Sequence, residues 1–130
     1  MIDRVTELFP GKYCIGYKNL SNNEWYFPKH FEGHPNMPGA LQLEAMAQML
    51  TVAITSQDGL AGKVTHALQH TVKFRKEVLP GDRLDIDARL LSWKRGIAKG
   101  HAVCTVDGQE VSSADMLITI PEIFTTFLPR

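Results

Sequence analysis

The sequence predicts an α+β fold, with a curved antiparallel β-sheet wrapped around one central α-helix. Three observations carry this. Residues 39–57 form a long apolar segment whose only charge is Glu44. Residues 83–93 alternate apolar and charged side chains with the period of a half-buried strand. Turn-forming residues divide the stretch 79–109 into short segments. At 130 residues and 44% hydrophobic composition, residues 1–130 suit a single domain with one core.

The elements follow in chain order. GKYCIGYKNL (11–20) reads as a strand closed by the turn-forming SNNE. WYFPKHFEGHPNMPG (25–39) contains three prolines and two glycines, which excludes a helix or a central strand. A helix starts at Pro38 or Gly39, where a proline suits the first turn, and runs to the Asp58–Gly59 stop. At 100° per residue, Glu44, Gln48, Thr51 and Thr55 share one narrow stripe, and apolar side chains cover most of the remaining surface. Such a helix is expected to be enclosed, which is the reason for wrapping the sheet around it.

Four strands are predicted after the helix, arranged as a meander. In VTHALQHTVKF (64–74), Val64, Leu68, Val72 and Phe74 are expected to share a face. LPGD (79–82) turns into RLDIDARLLSW (83–93), where Leu84, Ile86, Ala88 and Leu90 alternate with Asp85, Asp87 and Arg89. Lys94-Arg95-Gly96 and Asp107-Gly108 are hairpin turns flanking IAKGHAVCTV (97–106), and QEVSSADMLITI (109–120) is the last strand. The tail EIFTTFLPR is apolar enough to pack against the domain.

Composition excludes several function classes. Fourteen basic residues balance fourteen acidic ones, so nucleic acid is not the expected partner. Cys14 and Cys104 match neither a zinc spacing nor a redox pair and read as buried free thiols in a reducing compartment. Asp3, Arg4 and Glu7 stand where a signal peptide needs an apolar stretch, which predicts a cytoplasmic protein. Residues 35–57 are too often interrupted by polar side chains to span a membrane.

The chemistry concentrates in HFEGHPNMPGALQLE (30–44). A lone carboxylate buried in an apolar helix is costly to ionise, so burial would raise the Glu44 pKa. The helix dipole near its N-terminus partly offsets that cost. His30 and His34 are both candidate bases, and composition and periodicity do not separate them. Around Gly39, free amides at the helix start form a site for an oxyanion or a polarised carbonyl. Each feature alone is compatible with a structural role. Together they suit proton abstraction next to a carbonyl, with a second group handling a departing hydroxyl.

NEWYFPKHFEGHPNMPGALQLEAMAQ (23–48) closely resembles the active-site segment of the 3-hydroxyacyl-acyl-carrier-protein dehydratases of bacterial fatty-acid synthesis (the FabZ type, related to the FabA type). VKFRKEVLPGD (72–82) resembles their second signature, and DRVTELFPGK (3–12) their opening strand. The resemblance covers nearly the whole chain. It implies the hotdog fold and an obligate homodimer with two active sites shared across its interface. The dimers either stand alone or assemble into hexamers. By motif position it makes His30 the catalytic histidine rather than His34, Glu44 the catalytic carboxylate from the opposite protomer, and the Gly39 amide the carbonyl-polarising donor. It implies no metal or organic cofactor, a 3-hydroxyacyl thioester on phosphopantetheine as substrate, and acyl carrier protein as partner. The basic clusters Lys73, Arg75, Lys76 and Lys94, Arg95, Lys99 are the candidates for docking that acidic carrier.

Four positions depart from the family pattern. Lys29 replaces a glycine and Glu32 a proline beside His30. His70 replaces an aspartate, and Thr65 falls near a tyrosine that gates the acyl tunnel in many members. These changes fit a specialised dehydratase of polyketide or polyene type. They also motivate two rivals on the same fold: an acyl thioesterase in which Glu44 directs water, and a non-catalytic acyl-binding subunit.

Overall fold

The computed structural model describes residues 1–129. Its elements are β1 (Arg4–Phe9), β2 (Tyr13–Asn19), α1 (Gly39–Thr55), β3 (His66–Phe74), β4 (Arg83–Lys94), β5 (Ile97–Val106), β6 (Gln109–Thr119) and α2 (Pro121–Phe124), followed by a 3-10 turn at Thr125–Phe127. The strands form one antiparallel sheet in the order β1-β2-β4-β5-β6-β3. Only β4-β5-β6 is a meander. The predicted four-strand meander is corrected at β3, which crosses over to pair with β6 at the far edge.

The helix packs against β2, β4, β5 and β6. Its sheet-facing side chains Ala45, Met46, Met49, Leu50, Ala53 and Ile54 have no exposed surface. Facing them are Leu84, Ile86 and Ala88 of β4, Ala98, Ala102 and Cys104 of β5, and Ala114, Met116 and Ile118 of β6. Burying each larger side chain contributes roughly 1.5–3 kcal/mol. Gly100 permits the closest approach, since a Cβ there would lie 2.5 Å from the Leu50 Cδ2. The helix ends at Thr55, three residues before the expected stop, and a turn occupies 56–59.

The expectation of an enclosed helix holds for one face. Leu41, Leu43, Ala47 and Val52 are only partly covered within the chain. The turns behave as their residues require: Arg95 and Gly96 have φ of 54° and 78°, and Asp107 and Gly108 have 50° and 78°. The tail packs on the first of these turns, with the Ile120 amide donating to the Gly96 carbonyl at 2.9 Å. Cys14 and Cys104 are buried free thiols, as expected. No helix among the described residues is long and apolar enough to cross a membrane.

Candidate active site

The loop between β2 and α1 is held by main-chain hydrogen bonds rather than by regular structure. Phe31 and His34 exchange amide-to-carbonyl bonds at 3.0 Å, and the Asn36 amide donates to the His30 carbonyl at 2.8 Å. The Met37 amide then donates to the Val78 carbonyl at 2.7 Å, seating the loop beside the segment that follows β3. His30 is half-buried, and its ring stacks on Phe31 with centroids 4.3 Å apart.

The His30 Nδ1 lies 3.2 Å from the Asn36 carbonyl oxygen. A carbonyl only accepts, so Nδ1 carries the hydrogen and Nε2 keeps its lone pair. The loop therefore fixes the tautomer that leaves Nε2 free to act as a base. His34 differs: its Nε2 is 2.9 Å from both carboxylate oxygens of the exposed Glu77. That nitrogen is engaged, which separates the two histidines on geometry.

The start of α1 supplies the donors. Pro38 is the N-cap and offers no side-chain cap. Its carbonyl accepts from the Leu41 and Gln42 amides at 3.0 and 3.1 Å. The Gly39 and Ala40 amides have no main-chain partner among the described residues. No acidic side chain occupies the first turn, so the positive end of the helix dipole is uncompensated there. Beside it lies an open cleft of about 400 Å³, lined by Asn36, Met37, Gly39, Gln42, Phe74, Arg75, Lys76 and Glu77. A Cβ at position 39 would meet the Phe74 ring at 2.5 Å, so any other residue there would have to displace that ring.

Glu44 corrects a sequence-based expectation. It is exposed, not sequestered, and its Oε1 accepts a hydrogen bond from the Gln48 Nε2 at 2.9 Å. Among the described residues no hydrogen bond or ion pair joins it to His30. Within one chain His30 is tied to Asn36, three residues before the start of α1, and Glu44 is bonded to Gln48.

The departures from the family pattern spread over the loop and β3. Lys29 and Glu32 are exposed, Thr65 is half-buried just before β3, and the His70 Nδ1 is buried without a partner. Sequence reasoning also missed Gln42, which is 3% exposed. Its Nε2 donates to the Met37 carbonyl at 3.2 Å, tying the helix start to the loop. A glutamine on the sheet-facing stripe of an apolar helix was the available signal.

A larger groove, about 510 Å³, lies on the outer face of the sheet among Asp85, Asp87, Arg89 and His101. His101 of this groove pairs with Asp115 across β5 and β6 at 2.8 Å, and neither belongs to the loop and helix start described above. Among the described residues, no group of three or more His, Cys, Asp or Glu side chains is placed to hold a metal ion.

A model of the FabA-like domain matches residues 1–115. The chain belongs to the FabA-like family. A 3-hydroxyacyl-[acyl-carrier-protein] dehydratase FabZ of Clostridium botulinum (strain Loch Maree / Type A3) is 43% identical over 121 residues, covering 92% of this chain and 84% of that protein. The enzyme of the same name from Clostridium novyi (strain NT) is 38% identical over 92% of this chain and 85% of its own length. Among solved structures, zebra fish thioesterase superfamily member 2 superposes with a TM-score of 0.71 at 13% identity, covering 90% of this chain and 80% of that one. The smu.793 protein of Streptococcus mutans UA159, bound to acetyl CoA, does so with a TM-score of 0.69 at 18% identity, over 92% and 88%. At these identities the structural likeness establishes the hotdog fold alone.

Proposed function

We propose that this FabA-like chain is a 3-hydroxyacyl-[acyl-carrier-protein] dehydratase of fatty-acid biosynthesis, and that it works as a homodimer. The observation that carries the activity is the His30-to-Glu44 segment, set within relatives of that name about 40% identical over 92% of the chain. The reaction removes a proton from C2 and the hydroxyl from C3 and yields a trans-2-enoyl thioester and water. His30 Nε2 takes the C2 proton. The Gly39 amide donates to the thioester carbonyl, where negative charge develops. Glu44 of the partner subunit delivers a proton to the departing hydroxyl. The elimination is redox-neutral, and these groups supply its acid, base and oxyanion donor without a metal or organic cofactor.

Two features support the dimer. Glu44 lies on a helix face that one chain does not cover. β3 is an edge strand with unpaired main-chain groups on one side, where Leu68 is 48% and Phe74 54% exposed. The same surfaces would serve a further assembly into hexamers only if some remain open after dimerisation.

The carrier protein is the proposed partner, and the substrate reaches the site on its phosphopantetheine arm, in the cytoplasm. The two basic clusters are not equivalent for docking it. Lys73, Arg75 and Lys76 lie at the Phe74 end of β3, beside the cleft. The Lys94–Arg95 turn lies at the other end, since Ile97 and His66 both pair with Thr119. Arg75 is ion-paired with Glu110 and Lys76 is hydrogen-bonded to the neutral Gln109, so among the described residues Lys73 and Lys76 are the exposed cations of the near cluster without an ion pair.

The test is an assay of the purified chain with carrier-bound 3-hydroxyacyl substrates of several lengths, following enoyl formation and free thiol together. Enoyl product without thiol is expected. Thiol without enoyl product would establish the thioesterase instead. A homodimer producing neither would leave the non-catalytic subunit.

A further inference from the structure

Residues 28–38 carry His30 and lead into α1, yet they contain no strand or helix. Their attachment to the rest of the chain is sparse. Among the described residues, the pair His34–Glu77 is the only side-chain-to-side-chain bond that reaches out of this segment. Its geometry is symmetrical: the His34 Nε2–H faces both carboxylate oxygens at 2.9 Å. One residue further along, the Val78 carbonyl accepts from the Met37 amide at 2.7 Å. The loop is thus pinned at two points, one by side chains and one by main chain, to the two residues 77–78.

His34 is also tied to the neighbour of His30. It exchanges both main-chain bonds with Phe31, on whose ring the His30 ring stacks. The Asn36 Nδ2 reaches the His34 carbonyl at 3.4 Å, while the Asn36 carbonyl holds the His30 Nδ1. Displacing His34 therefore disturbs both groups that orient the His30 ring. We propose that His34 and Glu77 form a brace that positions His30, so that His34 is a positioning residue and not a bystander. Its effect on turnover rests on the dehydratase reading. Its effect on the loop does not.

Both side chains are more than half exposed, at 65% and 55%, so the pair is worth no more than an exposed ion pair and its loss changes a rate or equilibrium by about fivefold at most. The experiment measures two quantities in the full chain. Amide hydrogen exchange at Phe31, Asn36 and Met37 is expected to quicken by about three- to fivefold in His34→Ala and in Glu77→Ala, with β4 amides unchanged. Turnover should fall by a similar factor with KM unchanged, because a misplaced base slows chemistry and not binding. The exchanged double variant, His34→Glu with Glu77→His, is expected to restore both quantities, which a merely bulky or solubilising role would not do. Unchanged exchange at these amides in both single variants would overturn the brace. Faster exchange with unaltered turnover would overturn its positioning of His30. If the unaltered chain makes no enoyl product, the dehydratase reading fails, and the exchange rates still decide the brace.

Discussion

The two faces of α1 differ in what completes them. The face toward the sheet is finished within one chain: Met46, Met49, Leu50 and Ile54 are fully buried against β2, β4, β5 and β6. The other face carries Glu44, exposed and, among the described residues, bonded only to Gln48, beside partly covered Leu43 and Ala47. The difference teaches that folding and the proposed chemistry draw on different parts of the same helix. The proposed site needs a second chain to cover the other face.

The largest effects break the second face without touching the first. His30→Ala and Glu44→Gln are each expected to lower dehydration by about 10²–10⁴-fold. The far-ultraviolet dichroism and melting temperature of both variants should match the unaltered chain. Mixing the two inactive variants under subunit exchange sharpens the point. Half of the random dimers would then hold one intact site of two, so activity should return to about a quarter of normal. No recovery on mixing would place His30 and Glu44 of one site on the same chain.

Leu50→Ala tests the first face. It removes a fully buried side chain that packs against Gly100, and a loss of about 2–5 kcal/mol in urea unfolding is expected. Glu44→Gln, on the exposed face, should stay within about 0.5 kcal/mol in the same measurement. Equal losses would abolish the distinction between the faces. The β3 edge comes next: Leu68→Lys is expected to shift the protein to monomer in size-exclusion chromatography and to remove activity with it. An active monomer would contradict a shared site.

The smallest effect concerns buried acids. Burial pushes the Cys14 thiol from 9.0 up to about 11. It pushes Cys104 from 9.0 to about 12. Tyr26 rises from 10.0 to about 12 through burial first and then the charges of Glu24 and Asp3. In each case the unfolded chain loses its proton first, so the native state binds more protons in this range. Stability is expected to hold below pH 9.0 and to fall as the pH rises from there through about 11 to 12. Melting temperatures across that window should decline less steeply in Cys14→Ala, Cys104→Ala protein.

Much of the fold was legible because its signals are local. The alternation from Leu84 to Leu90 marks β4 through the contrast of apolar and charged neighbours, and Asp107-Gly108 marks a turn through backbone preference. β1 shows no such pattern, because every residue of RVTELF is exposed and a bulge between Val5 and Glu7 breaks its register; resemblance alone pointed to it. In β3 the expected shared face fails for the same kind of reason. Val64 lies outside the strand, and a bulge between Ala67 and Gln69 interrupts the period of two. In the site, His30 and Gly39 were legible as a loop histidine and a helix start. The exposure of Glu44 was not, since a monomer-scale pattern cannot register a surface that a second chain would cover. The role of Glu77 was hidden as well: forty-three residues separate it from His34, and only the crossover to β3 brings them together.

The contact between Gly39 and Phe74 has a consequence for how this chain can change. No left-handed φ favours glycine at 39; the ring of Phe74 does, by occupying the space of a Cβ. An alanine there would push the half-exposed ring outward and reshape the mouth of the cleft. A smaller residue at 74 would first empty the space that an alanine at 39 could then fill. The two positions therefore behave as one unit of mutation, in which changing 74 before 39 avoids displacing the ring and the reverse order does not.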